Sequence, residues 1–189
     1  MSDIGAQMLS ELRRIRELLE DRSPLGFGKK PQPTYVFIKH TPQSLWYSRD
    51  KQQGENIPII DRDLVGYLRN VWRFDRLDQS THETVPKLML HVHADREYII
   101  QSGLSTNFSK SLLVGLLELP LEALQEPLTL LVEDNAGGKG RPTVFARLEW
   151  QGSRVKPTFD KNASTEALLT LIQAKFGLTS PFEAGEHGD

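Results

Sequence analysis

The stretch Gly66-Tyr-Leu-Arg-Asn-Val-Trp-Arg-Phe-Asp-Arg76 can be taken two ways, and the choice decides the fold. As part of a helix, Leu64, Leu68 and Val71 fall on one stripe behind a cap at Asp61 or Asp63. As a strand, Leu68, Trp72 and Phe74 share one face, while Tyr67, Arg69 and Arg73 share the other. We read a strand from Gly66 onward. The same residues interleave three aromatic rings with three arginines, which suits a surface that stacks unpaired bases and holds the phosphates between them.

Working outward, strand patterns dominate both flanks. Upstream, Thr34 to His40 alternates Val36 and Ile38 with Tyr35, Phe37 and Lys39, and a Thr-Pro-Gln-Ser turn leads to Leu45 to Arg49, a hairpin. Lys51 to Asn56 is a loop. Downstream, Asp78 to Thr84 is polar loop, Lys87 to His93 carries Leu88, Leu90 and Val92 on one face, and a turn at Ala94-Asp95 leads to Glu97 to Ser102. Ser105 or Thr106 caps a helix whose Phe108, Leu112, Leu116 and Leu119 line one side until Pro120. Leu128 to Glu133 and Thr143 to Trp150 make a third hairpin around the glycine-rich Asn135 to Gly140, and Gln151-Gly152 turns into Arg154 to Pro157. A last helix spans Ser164 to Phe176.

The expected fold is mainly β with α elements, of the α+β class. Strands, one helix and then two strands, over residues 34 to 157, resemble the oligonucleotide/oligosaccharide-binding fold, a small partly open barrel with a helix inserted between its third and fourth main strands. That resemblance rests on element order, with the strands at 34 to 49 as additions; a sheet with a helix on one face yields the same string. Residues 1–22 read as an amphipathic helix, since Ile4, Met8, Leu12, Ile15 and Leu19 recur at steps of 3 and 4 and give an apolar seam that packs on the domain, on its copy in another subunit as an oligomerisation contact, or on a partner. Residues 23–33 are a linker, 34–160 the β-rich core domain, and 161–189 a C-terminal helix and flexible tail.

Composition narrows the function classes. The chain has no cysteine, which excludes disulfides and thiolate chemistry, and no apolar run long enough to span a bilayer. The amino terminus lacks the apolar block of a secretory signal, so a cytoplasmic location is expected. Residues 23 to 160 carry 17 Lys/Arg against 16 Asp/Glu, so any basic site must be local.

The candidate nucleic-acid-binding residues are Tyr67, Arg69, Trp72, Arg73, Arg76, Lys87, His91, Phe145 and Arg147. Trp72 and Arg76 join only if a bulge or the strand end re-aims them. Trp46, Tyr47, Arg49 and Lys51 form a second aromatic and basic patch, read as hairpin packing. His91 and His93 lie on one side of a strand with Asp95 and Glu97 close by, but the turn at 94 to 96 argues against a third ligand, so no metal and no cofactor are expected. Ile99 stands where a nuclease would place a lysine. The glycine-rich loop opens a strand rather than a helix and is read as a hairpin tip. The expected function is non-enzymatic binding of single-stranded DNA or RNA with low sequence specificity. The alternative is a protein-interaction or assembly module without a nucleic-acid role.

Overall fold

Residues 63–77 form a single 15-residue strand in the computed structural model, which settles the reading of the 66–76 stretch. The structure describes residues 32–49, 54–78, 80–135, 142–157 and 163–181. The chain divides into Met1–Gln32 and Pro33–Asp189, and all that follows concerns the second unit. The 1–22 helix, nearly all of the 23–33 linker, the tip of the glycine-rich loop and the end of the tail lie outside the described residues.

Nine strands follow in chain order: β1 (Thr34–Ile38), β2 (Trp46–Arg49), β3 (Asn56–Ile59), β4 (Asp63–Leu77), β5 (Thr84–His93), β6 (Glu97–Gly103), β7 (Leu128–Asp134), β8 (Val144–Trp150) and β9 (Ser153–Arg154). Helix α1 (Asn107–Glu118) separates β6 from β7, and α2 (Thr165–Phe176) closes the described chain. They make one open sheet in the order β3-β2-β1-β6-β5-β4-β7-β8-β9. Within it β4, β5 and β6 are joined by hairpin turns, and β7 returns through α1 to lie antiparallel beside β4. The order β7-β4-β5-β6 is a Greek key.

The three expected hairpins are present, as are the two expected helices that fall within the described residues. Two pieces were not expected. Strand β3 was hidden by Pro58, which lacks a ladder donor and is tolerated because β3 is an edge strand. A 3₁₀ turn follows at Leu121–Gln125. β4 also starts three residues before Gly66, because Asp63 to Gly66 pair with β7 while Tyr67 onward pairs with β5.

One side of the sheet holds the core. Phe108, Leu112, Leu113 and Leu116 of α1 are at most 1% exposed and pack with Leu88, Leu90, Ile100 and Val132 of the strands and with Leu168 and Ile172 of α2. Each such side chain stabilises the fold by about 1.5–3 kcal/mol when buried. The Thr106 hydroxyl caps α1 by accepting from the Ser109 N–H, and Ser164 caps α2 in the same way through the Ala167 N–H. α2 ends at Gly177, whose φ of 64° suits a residue without Cβ.

Among the described residues β6 and β8 do not pair. β6 is occupied on its far edge by β1, and the far edge of β8 gives its Ala146 N–H to the Ser111 hydroxyl of α1. With β6 paired to β1 and β8 engaged by α1 and β9, the sheet remains open.

Candidate nucleic-acid interface

The pairing of β4 with β5 contains a one-residue break. Tyr67 faces His93 and Leu68 faces Val92, but the next pair is Asn70 with His91, which leaves Arg69 unmatched. This is a β-bulge, and it shifts the alternation of everything beyond it. Val71, completely buried, joins Leu68 in the core. Trp72, Phe74 and Arg76 therefore share the outer face with Tyr67.

The same shift carries Arg73 to the helix side. Strict alternation placed Arg73 beside Tyr67 and Arg69, and the bulge corrects that placement. The Arg73 Nε lies 2.7 Å from Asp75 Oδ1 and its Nη2 3.0 Å from Oδ2. Hydrogen bonding to Asp75, then the charge of Asp75, raises the guanidinium above its ordinary range, and Glu166 of α2 adds to this.

Directly paired residues in a sheet share a face, so the ladder gives the rest of the surface. Phe74 is opposite Lys87 and Trp72 opposite Met89. Trp72, Met89 and Ile99 form a small apolar cluster of their own, separate from the main core. The Trp72 indole N–H is buried without a partner, an arrangement that costs about 1–3 kcal/mol. Tyr67 and Phe74 are each 37% exposed. The guanidinium carbon of Arg69 sits 5.5 Å from the Tyr67 ring centroid, a cation–π contact that places the bulged residue on this same face.

Beside them, one carboxylate bridges two imidazoles. Glu97 Oε2 lies 2.6 Å from His91 Nε2, and Oε1 lies 2.8 Å from His93 Nδ1. An ionised carboxylate only accepts, so both of these ring nitrogens carry hydrogen. Burial pushes the Glu97 carboxyl up, but the hydrogen bonds from His91 and His93, and then their charges, outweigh it and hold the group below its ordinary value. Among the described residues no three His, Cys, Asp or Glu side chains are placed to hold a metal ion.

Phe145 and Arg147 lie on the outer side of β8, opposite the core residues Ala146 and Leu148. Arg147 pairs through Leu131 with Asp63, two strands and four residues from Tyr67, or roughly 16 Å on flat-sheet spacings. Its Nε is ion-paired with Glu133. The structure thus puts Tyr67, Arg69, Trp72, Arg76, Lys87 and His91 on the outer side of β4 and β5, with Tyr67 and Arg76 near opposite ends of that ladder and Trp72 buried; it keeps Phe145 and Arg147 on the same side across β7 and turns Arg73 to the helix side.

The N-terminal hairpin, whose aromatic and basic patch reads from sequence as packing, divides between the two faces. Trp46 is a core residue whose Nε1 donates to the Asp61 carbonyl at 2.6 Å. Its neighbour Tyr47 points the other way and stacks on Phe37 with ring centroids 5.3 Å apart. The available signal was the alternation itself, which put Tyr35 and Phe37 opposite the inward Val36 and Ile38.

No family model, curated protein or solved structure matches the chain. Among the described residues no helix is long and apolar enough to cross a membrane.

Proposed function

We propose that the protein binds single-stranded nucleic acid on the outer face of β4, β5 and β6, without sequence readout and without catalysing a reaction. The observation that carries this is the Arg69 bulge, which puts the exposed rings of Tyr67 and Phe74 on one face over the buried Trp72, with Arg69, Arg76 and Lys87 along it. On the outer side of β4 from Tyr67, and of β5, β6, β1 and β2, Glu97 is the sole carboxylate among the described residues, and two histidines engage it. A face with rings, cations and one compensated anion is complementary to a polyanion carrying stackable bases.

The Greek key supports the resemblance to an oligonucleotide-binding barrel. Counted from β4, α1 falls between the third and fourth strands, and β5 and β6 take the positions of strands 2 and 3, the surface that binds in that fold. Residues 1–22, whose sequence reads as an amphipathic helix, would join copies so that weak sites act together.

The test is a titration of fluorescent oligothymidine at low and physiological salt, with a Tyr67→Ala, Phe74→Ala variant alongside. Each stacked base contributes about 1–3 kcal/mol, so binding should weaken markedly in the variant while its circular dichroism is unchanged. No binding at micromolar protein would overturn the proposal and favour the protein-interaction module.

A further inference from the structure

The N-terminal hairpin carries aromatic rings on the side of the sheet that the core does not use. An antiparallel sheet needs only one apolar face to pack, and its solvated face is ordinarily polar. Here Val36 and Trp46 fill the core, yet Tyr35, Phe37 and Tyr47 occupy the opposite face, with Tyr35 39% exposed. The core does not account for them.

The ladder shows what they continue. One row of paired residues crosses the sheet from Tyr47 through Phe37, Gln101 and Met89 to Trp72. The next row runs from Tyr35 through Ile99 to His91. Four strand spacings separate Tyr47 from Trp72, about 19 Å. Arg49 lies two residues from Tyr47 on the same strand, hence on the same face, and is exposed. Between the two ends no outer-face position of β1, β5 or β6 other than Glu97 is acidic among the described residues.

Resting on the function proposed above, we infer that the Tyr35, Tyr47 and Arg49 surface is a second subsite for the same single strand. The strand crosses the β-strands from β4 to β2. Bases stack on Tyr67 and Phe74 at the β4 end and on Tyr35 and Tyr47 at the other, where Arg49 holds phosphate. The occupant is a polyanion with aromatic bases because the surface offers rings and a cation and almost no carboxylate. A short oligonucleotide fits the β4–β6 end alone, whereas a longer one spans both.

The experiment uses the full chain at physiological salt and labelled oligothymidine or oligouridine of about 6 and about 15 nucleotides, within the range of site sizes of oligonucleotide-binding folds. Wild type should bind the longer probe much more tightly. Arg49→Glu, which leaves every core residue in place, and Tyr35→Ala should each lower affinity for the longer probe at least about fivefold. Affinity for the shorter probe should change less than about twofold, because screening at this salt confines the charge change to about 8 Å. Unchanged affinity for the longer probe in both variants, while Tyr67→Ala weakens both probes, would overturn the second subsite and leave the first. Equal loss at both lengths would also overturn it. Failure of wild type to bind either probe removes both readings.

Discussion

At the residue scale, Gly66 shows how little room the handover in β4 leaves. A Cβ there would stand 2.6 Å from Val92 Cγ1 and 2.7 Å from the His93 carbonyl oxygen. The carbonyl belongs to the backbone and cannot step aside, so Gly66→Ala should destabilise the protein by about 1–3 kcal/mol, read as a lower urea midpoint at unchanged slope. Glu97 gives a pH prediction. Its carboxyl titrates below the ordinary 4.5 in the folded protein, so its stabilisation is full above that value and is lost as pH falls through the folded value. Glu97→Gln should therefore be less stable than wild type near neutral pH. The gap in melting temperature should close as the pH drops below about 4.5. Neither residue was legible as special in the sequence. Gly66 read as a strand start and Glu97 as one of a loose acidic pair, because both depend on partners fixed by strand register.

At the element scale, the bulge in β4 governs which side chains meet. Deleting Arg69 would leave Leu68 and Asn70 consecutive opposite Val92 and His91, a regular ladder that keeps Val71 in the core, whereas inserting one residue after Asn70 would turn Val71 outward or slip the strand out of register. The insertion should lose about 3 kcal/mol or more, or fail to accumulate as folded protein, whereas the deletion should fold with a midpoint close to wild type, as measured by denaturation and soluble yield. The helices behave locally by comparison. The Thr106 hydroxyl accepts from the Ser109 N–H at 3.2 Å, and Thr106→Ala should cost about 1 kcal/mol in the denaturation midpoint without altering binding. That cap and the Phe108, Leu112, Leu116 stripe were visible beforehand, because both are set by neighbours within one or two turns. The extra residue of a bulge leaves no such local mark.

At the scale of the whole molecule, a formal charge of −2 hides an uneven distribution. Arg49, Arg69, Arg76 and Lys87 share the outer side of the sheet, whereas Arg73 is paired with Asp75 on the helix side and Arg147 with Glu133. Binding by the first group should fall with salt by about 0.7 in log affinity per log salt for each phosphate contact. Arg76→Ala should reduce that slope by about one such contact. Arg73→Ala should leave both slope and affinity unchanged, which anisotropy titrations over a salt series would read directly. Equal effects of the two variants would mean that the two sides of β4 are not separate surfaces in solution.

The sequence by itself determined the elements. Alternation, caps and turn residues placed the three expected hairpins and both described helices, since each signal acts over a few residues. Tertiary structure alone decided the open Greek-key order, the hidden edge strand at Pro58 and the face on which each aromatic and arginine lies. Those depend on pairing between segments far apart in the chain, and one unmatched residue at Arg69 was enough to exchange Arg73 for Trp72, Phe74 and Arg76 on the outer surface.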